Sequence, residues 1–261
     1  MPSSTQATHP SGKLKLTFTE DNHLYVDDFG IEYTSCTTLV HAAFEKFDAL
    51  KVAAAKSART GIPIDQYIAE WKAYGEERAD LGTRTHENIE HQILGRYECM
   101  HQPVNDDERA RFRAAWYEVE KLQKSYDVLE PEKLVFSPRF RVSGSIDLLA
   151  RRRDGSYSII DWKFIKDLKT SAFQNKTGIH FATRHLPDCN FYHYALQTNI
   201  YEQLLKVEGY IKPMAHVDKW LGVYDFTQRK FNFVRMPELA REALLLMAWN
   251  VTNDNLEDIP F

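Results

Sequence analysis

The sequence predicts one α/β domain with an N-terminal hairpin and helical additions. Three observations carry this. Apolar residues recur at helical spacing over residues 63–98 and 105–126. Between Leu134 and Phe164 the pattern changes to short apolar runs separated by turn residues. A chain of 261 residues with 43% hydrophobic and 27% charged residues has the composition of a globular protein, not of a disordered one. Residues 1–13 read as a flexible polar tail. Residues 14–261 read as the domain, with 14–75 as N-terminal hairpin and helices and 76–261 as its core.

The elements follow in order. Leu14, Leu16 and Phe18 alternate with polar residues, and Leu24 to Val26 supplies a second strand. Asp27 to Gly30 makes a turn before Ile31 and Tyr33. Thr37 or Thr38 can open a helix toward Phe47, and Asp48 can cap another through Ala58. Ile64, Tyr67, Ile68, Trp71 and Tyr74 begin a long helical stretch that Leu81, Ile89 and Ile93 continue, with Gly75 and Gly82 as breaks. Asn105 and Glu108 have capping-box spacing before an amphipathic helix carrying Phe112, Ala115, Trp116, Val119, Leu122 and Tyr126. Leu134–Phe136, Ile146–Ala150 and Tyr157–Phe164 are strands, the last two joined at Asp154-Gly155. Residues 165–189 lack periodicity and form a long loop, a length at which function is common. Asn190–Val207 is a helix, 216–226 and 230–235 are strands, and Pro237 opens a final helix ending near Trp249.

Composition excludes several classes. Cys36, Cys99 and Cys189 are far apart and form no CxxC pair, which excludes a zinc ribbon, an iron–sulfur cluster and a disulfide framework. Free thiols suit a reducing compartment, so a cytoplasmic protein that is not secreted is expected. The first 13 residues lack an apolar core, no apolar run reaches the ~18 residues of a membrane span, and no GxxxxGK[ST] motif is present.

The hairpin from Gly144 to Lys163 carries the chemistry. It reads Gly-Ser-Ile-Asp, a short apolar run, a turn, then Ile-Ile-Asp-Trp-Lys. Asp161 and Lys163, two apart on a strand, share a face, while Trp162 points to the other and can anchor the strand. Asp147 and Asp161 side by side in an apolar sheet would repel, and Mg²⁺ or Mn²⁺ would remove the repulsion. Lys163 beside them can hold or deprotonate a water, or stabilise charge on a phosphate. Taken alone, an Asp-x-Lys is more often a strand end with a solvated lysine; the apolar run and the preceding Gly-x-x-Asp favour a site. Two further pairs lie one helical turn apart. His86 and Glu90, following Gly82, can complete or orient a metal shell. They do not form HExxH, since position 90 is Glu. Gln197 and Tyr201 can hold a nucleotide or phosphate, or can simply be a core tyrosine beside an amide.

Gly-Thr-x-x-His-x-x-x-Glu, Gly-x-x-Asp, Asp-x-Lys and Gln-x-x-x-Tyr, in this order from Gly82 to Tyr201, resemble the RecB-type branch of the PD-(D/E)xK nucleases. Tyr33 to Thr38 and Phe44 to Asp48 are similar to the start of stand-alone, phage-encoded exonucleases. The resemblance implies a mixed central sheet flanked by helices and metal-dependent cleavage of DNA. It implies His86, Asp147, Asp161 and the Trp162 carbonyl as metal ligands, Lys163 as the catalytic lysine, Glu90 as an additional acidic residue, and Gln197 and Tyr201 as substrate contacts. It implies Mg²⁺ or Mn²⁺ as cofactor and linear single- or double-stranded DNA as substrate. The process served would be recombination, replication or repair in a bacterial or phage-infected cell. The four-cysteine cluster and fused helicase of some relatives are absent, so no iron–sulfur cluster is expected and loading onto DNA falls to the protein or a separate partner.

Charge is distributed accordingly. The net charge of −4 argues against coating DNA by bulk charge. From Arg151 to His185, eight basic residues face three acidic ones, a local +5. Lys166, Lys169 and Lys176 follow the catalytic strand as phosphate contacts, and Phe173, Phe181 and Phe191 as stacking partners. Arg151 to Arg153 read as a solvated hairpin face. A structure- or sequence-specific endonuclease on the same core and a catalytically inactive nucleic-acid-binding protein are the competing readings.

Overall fold

The computed structural model describes residues 4–254. Its central hairpins form where the sequence is most apolar. Strands β5 (Val128–Ser137), β6 (Val142–Arg151) and β7 (Tyr157–Lys163) are antiparallel neighbours, with β6 in the middle. Their side chains divide between two cores. Ile146, Leu149 and Ile159 belong to one, and Leu148, Ile160 and Trp162 to the other. β5 and β6 exceed the predicted runs, and β7 ends at Lys163, one residue short of the predicted Phe164. β5 and β6 extend furthest because their ends are stabilised by partner strands and not by their own apolar content.

Among the described residues nine strands form one mixed sheet. β1 (Ser4–Thr8), β2 (Lys15–Thr19), β3 (Leu24–Asp27) and β4 (Glu32–Ser35) make an antiparallel meander. β4 then joins β6 in parallel. β8 (Val217–Asp225) lies parallel to β7, and β9 (Lys230–Arg235) closes the edge antiparallel to β8. The polar tail expected over residues 1–13 is corrected in part. Ser4–Thr8 pairs with β2, since backbone pairing needs no apolar side chains, and residues 1–3 lie outside the described residues.

Helices cover both faces. α1 (Cys36–Ala42), α5 (Asn190–Val207) and α6 (Ala240–Asp254) pack over the core that holds Ile146 and Ile159. α3 (Ile64–Ile93) and α4 (Asp106–Ser125) cover the other through Ile89, Ala115 and Val119. α2 (Ala49–Thr60) packs on the first half of α3. Asp48 caps α2 as expected, accepting from Lys51 N at 2.9 Å. Three boundaries differ from the sequence reading. Ser35, not Thr37 or Thr38, caps α1, which ends at Ala42, short of Phe47. α3 runs unbroken through Gly75 and Gly82, because an isolated glycine costs a helix only about 1 kcal/mol. α6 begins at Ala240, where Leu239 N is taken by the Asn199 side chain at 2.9 Å, not at Pro237.

Asn105 accepts from Glu108 N at 2.8 Å, one half of the expected capping box. The Glu108 carboxylate departs from it. It takes Val104 N at 2.7 Å and Arg84 Nε at 2.8 Å, and so ties α3 to the start of α4. This ion pair is buried on the Glu108 side and fixes the height of α3 against the sheet.

Trp162 is the anchor that the strand pattern predicted. Its indole is 1% exposed and meets the rings of Phe231 and Phe233 at 5.1 and 5.5 Å. Gly222, opposite it on β8, makes the room: a Cβ there would stand 2.7 Å from Trp162 Cε3. Gly222→Ala should therefore destabilise the protein by about 1–3 kcal/mol through overpacking. Urea unfolding followed by tryptophan fluorescence measures this, and an unchanged midpoint would contradict the packing described.

Candidate active site

The sheet splits between β6 and β7. Their ladder runs from Arg151↔Tyr157 to Leu148↔Ile160 and stops there. In place of the next rung, Asp147 Oδ2 accepts the Trp162 backbone N–H at 2.8 Å. The same edge of β6 pairs with β4 only at Val142 and Ser143. Residues 144–147 therefore face a notch between β4 and β7. Gly144 is needed there, since a Cβ would lie 2.7 Å from the Tyr201 ring and 3.1 Å from Cys36 Sγ.

Three side chains converge at this notch. His86 Nδ1 is 3.6 Å from Asp147 Oδ2 and 3.9 Å from Glu132 Oε1. His86 Nε2 is 3.1 Å from the Trp162 carbonyl oxygen. A carbonyl only accepts, so a neutral His86 donates from Nε2 and leaves its Nδ1 lone pair facing the two carboxylates. Burial, the largest influence, lowers the His86 pKa, but the carboxylates of Asp147 and Glu132 overcome it and the net direction is upward. Nitrogen and oxygen ligand atoms of the three residues lie within 4.8 Å of one another. Electron-pair donors so arranged fit a divalent cation with mixed nitrogen and oxygen ligation.

Glu132 was not legible as a site residue from motif spacing alone. It sits on β5 where the rungs Pro131↔Leu148 and Lys133↔Ile146 flank a missing one, directly opposite Asp147. Its φ is +45°, a left-handed conformation costly for a residue with a Cβ. Ser145 Oγ donates to its Oε2 at 2.8 Å. The signal for it lay in the register: counting back from the turn at Ser137↔Val142 places Glu132 across from Asp147. Tyr194 is a second unforeseen neighbour, its ring centroid 5.3 Å from Lys163 Nζ.

The remaining expected residues are distributed less evenly. Asp161 does share a face with Lys163, and the two form an ion pair at 2.6 Å. Asp161 thus lies beside the convergent group and not within it, with its Oδ1 buried and without a hydrogen-bond partner among the described residues. Glu90 lies one turn beyond His86; burial first, then the charge of Glu132, raise its pKa. A Cβ on Gly82 would stand at an ordinary 3.7 Å from Phe164, so no close backbone approach depends on this glycine. Gln197 bridges α5 to α1, donating to Thr37 Oγ1 at 3.2 Å and to Tyr201 Oη at 3.0 Å. Tyr201 is 3% exposed against Gly144, placed to pack the notch rather than to line its mouth. Lys166 and Lys169 are exposed, whereas Lys176 is paired with Glu45 at 2.5 Å. Phe173 and Phe181 are exposed, and Phe191 packs on the core.

Lys163 is held charged. Burial, the largest influence, lowers its pKa, but Asp161 and Asp147 together raise it. Asp161 is pushed up to about 6 by burial first and by Asp147, with Lys163 opposing. A carboxyl whose native pKa is raised stabilises the fold at low pH and loses that contribution as pH climbs through the raised value. In the presence of EDTA the protein should therefore lose stability relative to Asp161→Asn as pH rises from 3.8 to about 6. Urea midpoints measured across that window check this, and parallel curves for the two proteins would refute it.

The comparisons with known proteins bear on this geometry. No curated protein matches the chain significantly. A crystal structure of a protein from Eubacterium rectale, described provisionally as an exonuclease, is 11% identical and superposes with a TM-score of 0.38 over 85% of this chain and 79% of the other, too distant to bear on the chemistry. The family model of the PD-(D/E)XK nuclease superfamily matches residues 27–222, about three quarters of the chain, and spans the meander's end, the notch, the Asp-x-Lys strand and α5. The chain belongs to the PD-(D/E)XK nuclease superfamily.

Proposed function

We propose that the protein is a divalent-metal-dependent deoxyribonuclease that hydrolyses phosphodiester bonds from DNA ends, using Mg²⁺ or Mn²⁺. The observation that carries this reading is the convergence of His86, Glu132 and Asp147 beside the Asp161–Lys163 pair in a chain of this superfamily. A bound divalent cation would supply Lewis acidity at the scissile phosphate.

The chain's own residues supply the rest. Asp147 carries two tasks, accepting the Trp162 N–H with one oxygen and facing His86 Nδ1 with the same edge of its carboxylate. The Trp162 carbonyl fixes the imidazole through Nε2, so Nδ1 keeps one direction. Lys163, positioned between Asp161 and the ring of Tyr194, presents an ammonium that can neutralise charge developing on a phosphate oxygen. Lys166 and Lys169, exposed just after β7, extend positive potential along the path of the backbone. Gln197 and Tyr201 act by holding α5 to α1 and packing Gly144, and through these contacts keep the notch open to substrate. A role in recombination, replication or repair, in the cytoplasm and alongside a separate partner protein, fits a nuclease that carries no motor motif. The endonuclease reading shares every residue of this site and differs in needing no DNA end.

End-labelled linear single- and double-stranded DNA and covalently closed circular DNA, each with Mg²⁺, Mn²⁺ or EDTA, test the proposal together. Linear DNA should be degraded with either metal and spared in EDTA, and closed circles should survive. Cleavage of circles would replace the exonuclease reading with the endonuclease one. Lys163→Ala should lower kcat by about 10²–10³-fold, the scale of losing one charge-stabilising donor. Asp147→Ala, Asp161→Ala and Glu132→Ala should abolish metal-dependent cleavage while circular dichroism stays native. Near-native turnover in Asp147→Ala or Lys163→Ala would remove the assignment.

A further inference from the structure

Helix α3 has two unlike halves. Its buried residues are Thr85, Asn88, Ile89 and Gln92, all in the last ten positions. The first half packs on α2, lays Arg78 over the Phe226 ring at its end, and otherwise stands in solvent. The two helices form an arm. Eighteen residues make five whole turns, so Ile68 lies on the same face as His86, and Trp71 lies about 60° round from it. The face that presents His86 to the notch thus continues outward along the arm.

That continuation carries an aromatic cluster and a cationic helix. Phe47, just before α2, meets Trp71 edge-on at 6.0 Å, and Tyr67 lies 5.9 Å from Trp71. Phe47 and Leu50 are 67% and 68% exposed. Lys56 Nζ stands 5.0 Å from the Trp71 ring centroid. α2 holds Lys51, Lys56 and Arg59 and no acidic residue, although the chain as a whole carries −4. None of these three cations is in an ion pair among the described residues. The exposed Phe47 ring, backed by half-buried Tyr67 and Trp71, and a helix whose Lys51 and Arg59 are exposed match the two needs of an unpaired strand, a face for bases to stack on and positive charge for the phosphates. A duplex would offer the phosphates but no base faces, and a protein partner would not call for the unpaired positive charge.

We propose that the α2–α3 arm is a second nucleic-acid contact, which grips a single strand at a distance from the notch. This deepens the nuclease reading and rests on it for the meaning of that distance. Fifteen residues of helix at 1.5 Å per residue separate Trp71 from His86, about 22 Å. At the duplex rise of about 3.4 Å per nucleotide, the shortest for a stacked strand, that is at most roughly six nucleotides from the scissile phosphate. A strand shorter than this, seated in the notch, cannot reach the arm.

The test compares a single-stranded 20-mer with a trinucleotide, using the native chain, Phe47→Ala and the double variant Lys51→Gln/Arg59→Gln. All three changed residues are exposed, which leaves the fold unburdened. On the 20-mer each variant should raise KM about tenfold with kcat unchanged, the size of one lost stacking or phosphate contact set. On the trinucleotide neither should change KM. The double variant should also flatten the slope of log KM against log salt by about 1.4, at about 0.7 per lost phosphate contact. Equal effects on both lengths, or no effect on either, would overturn the proposal. Fluorescence anisotropy of the 20-mer in EDTA separates the two readings. If the native chain cleaves nothing, tighter binding by it than by the variants still supports the arm, and equal binding overturns it.

Discussion

The hydrogen bond from the Trp162 backbone to Asp147 organises this protein. A β-ladder would continue past Leu148↔Ile160 by joining main chain to main chain. Here a side chain takes the N–H instead, at 2.8 Å, and β6 and β7 part. The consequence is geometric. Glu132, Asp147 and Asp161, which the register sets at one level on three neighbouring strands, meet at the line where the sheet opens. The Trp162 carbonyl on the other side of the same peptide plane is released from the ladder and holds His86. Trp162 itself, clamped between β9 and the space left by Gly222, keeps the parting strand from drifting.

Such a notch is electrostatically expensive. Asp147 crowds Asp161 and Glu132 crowds Glu90, and the raised pKa values of Asp161 and Glu90 record that crowding along with burial. Lys163 offsets part of it through its ion pair with Asp161. The left-handed backbone at Glu132 adds conformational strain at the same point. Strain and like charge accumulate here while the flanks are stabilised by apolar packing and by the buried Arg84–Glu108 pair, a distribution expected of a site built to receive a cation and a phosphate rather than to hold the fold together.

Much of the site was legible because its residues lie close in sequence on regular elements. A strand's period of two puts Asp161 and Lys163 on one face and Trp162 on the other whatever the rest of the fold does, and a helix puts His86 and Glu90 one turn apart. Asn190–Val207 and the capping residues Asp48 and Asn105 were readable for the same local reason. Glu132 was not, because its significance depends on which residue lies across the ladder. Its own neighbours, Pro131 and Lys133, give no periodic signal. The pairing of Lys176 with Glu45, 131 residues away, was equally hidden, and it removes one of three lysines from the expected basic path. Ser4–Thr8 was missed because a strand recruited by pairing needs no apolar pattern.

The sequence by itself determined the mixed α/β elements, the Asp-x-Lys strand and the local excess of positive charge that follows it. These depend on residue spacing and composition, which folding leaves unchanged. Only the tertiary structure decided which carboxylates converge on His86, since that depends on the β5–β6 register and on the rung at which β6 and β7 separate. It also decided that Tyr201 packs behind Gly144, and that Phe47, from the segment before α2, meets Trp71 on the helix that carries His86. Those are contacts between residues tens to hundreds of positions apart. Their distances are set by sheet register and helix packing, and no local pattern encodes either.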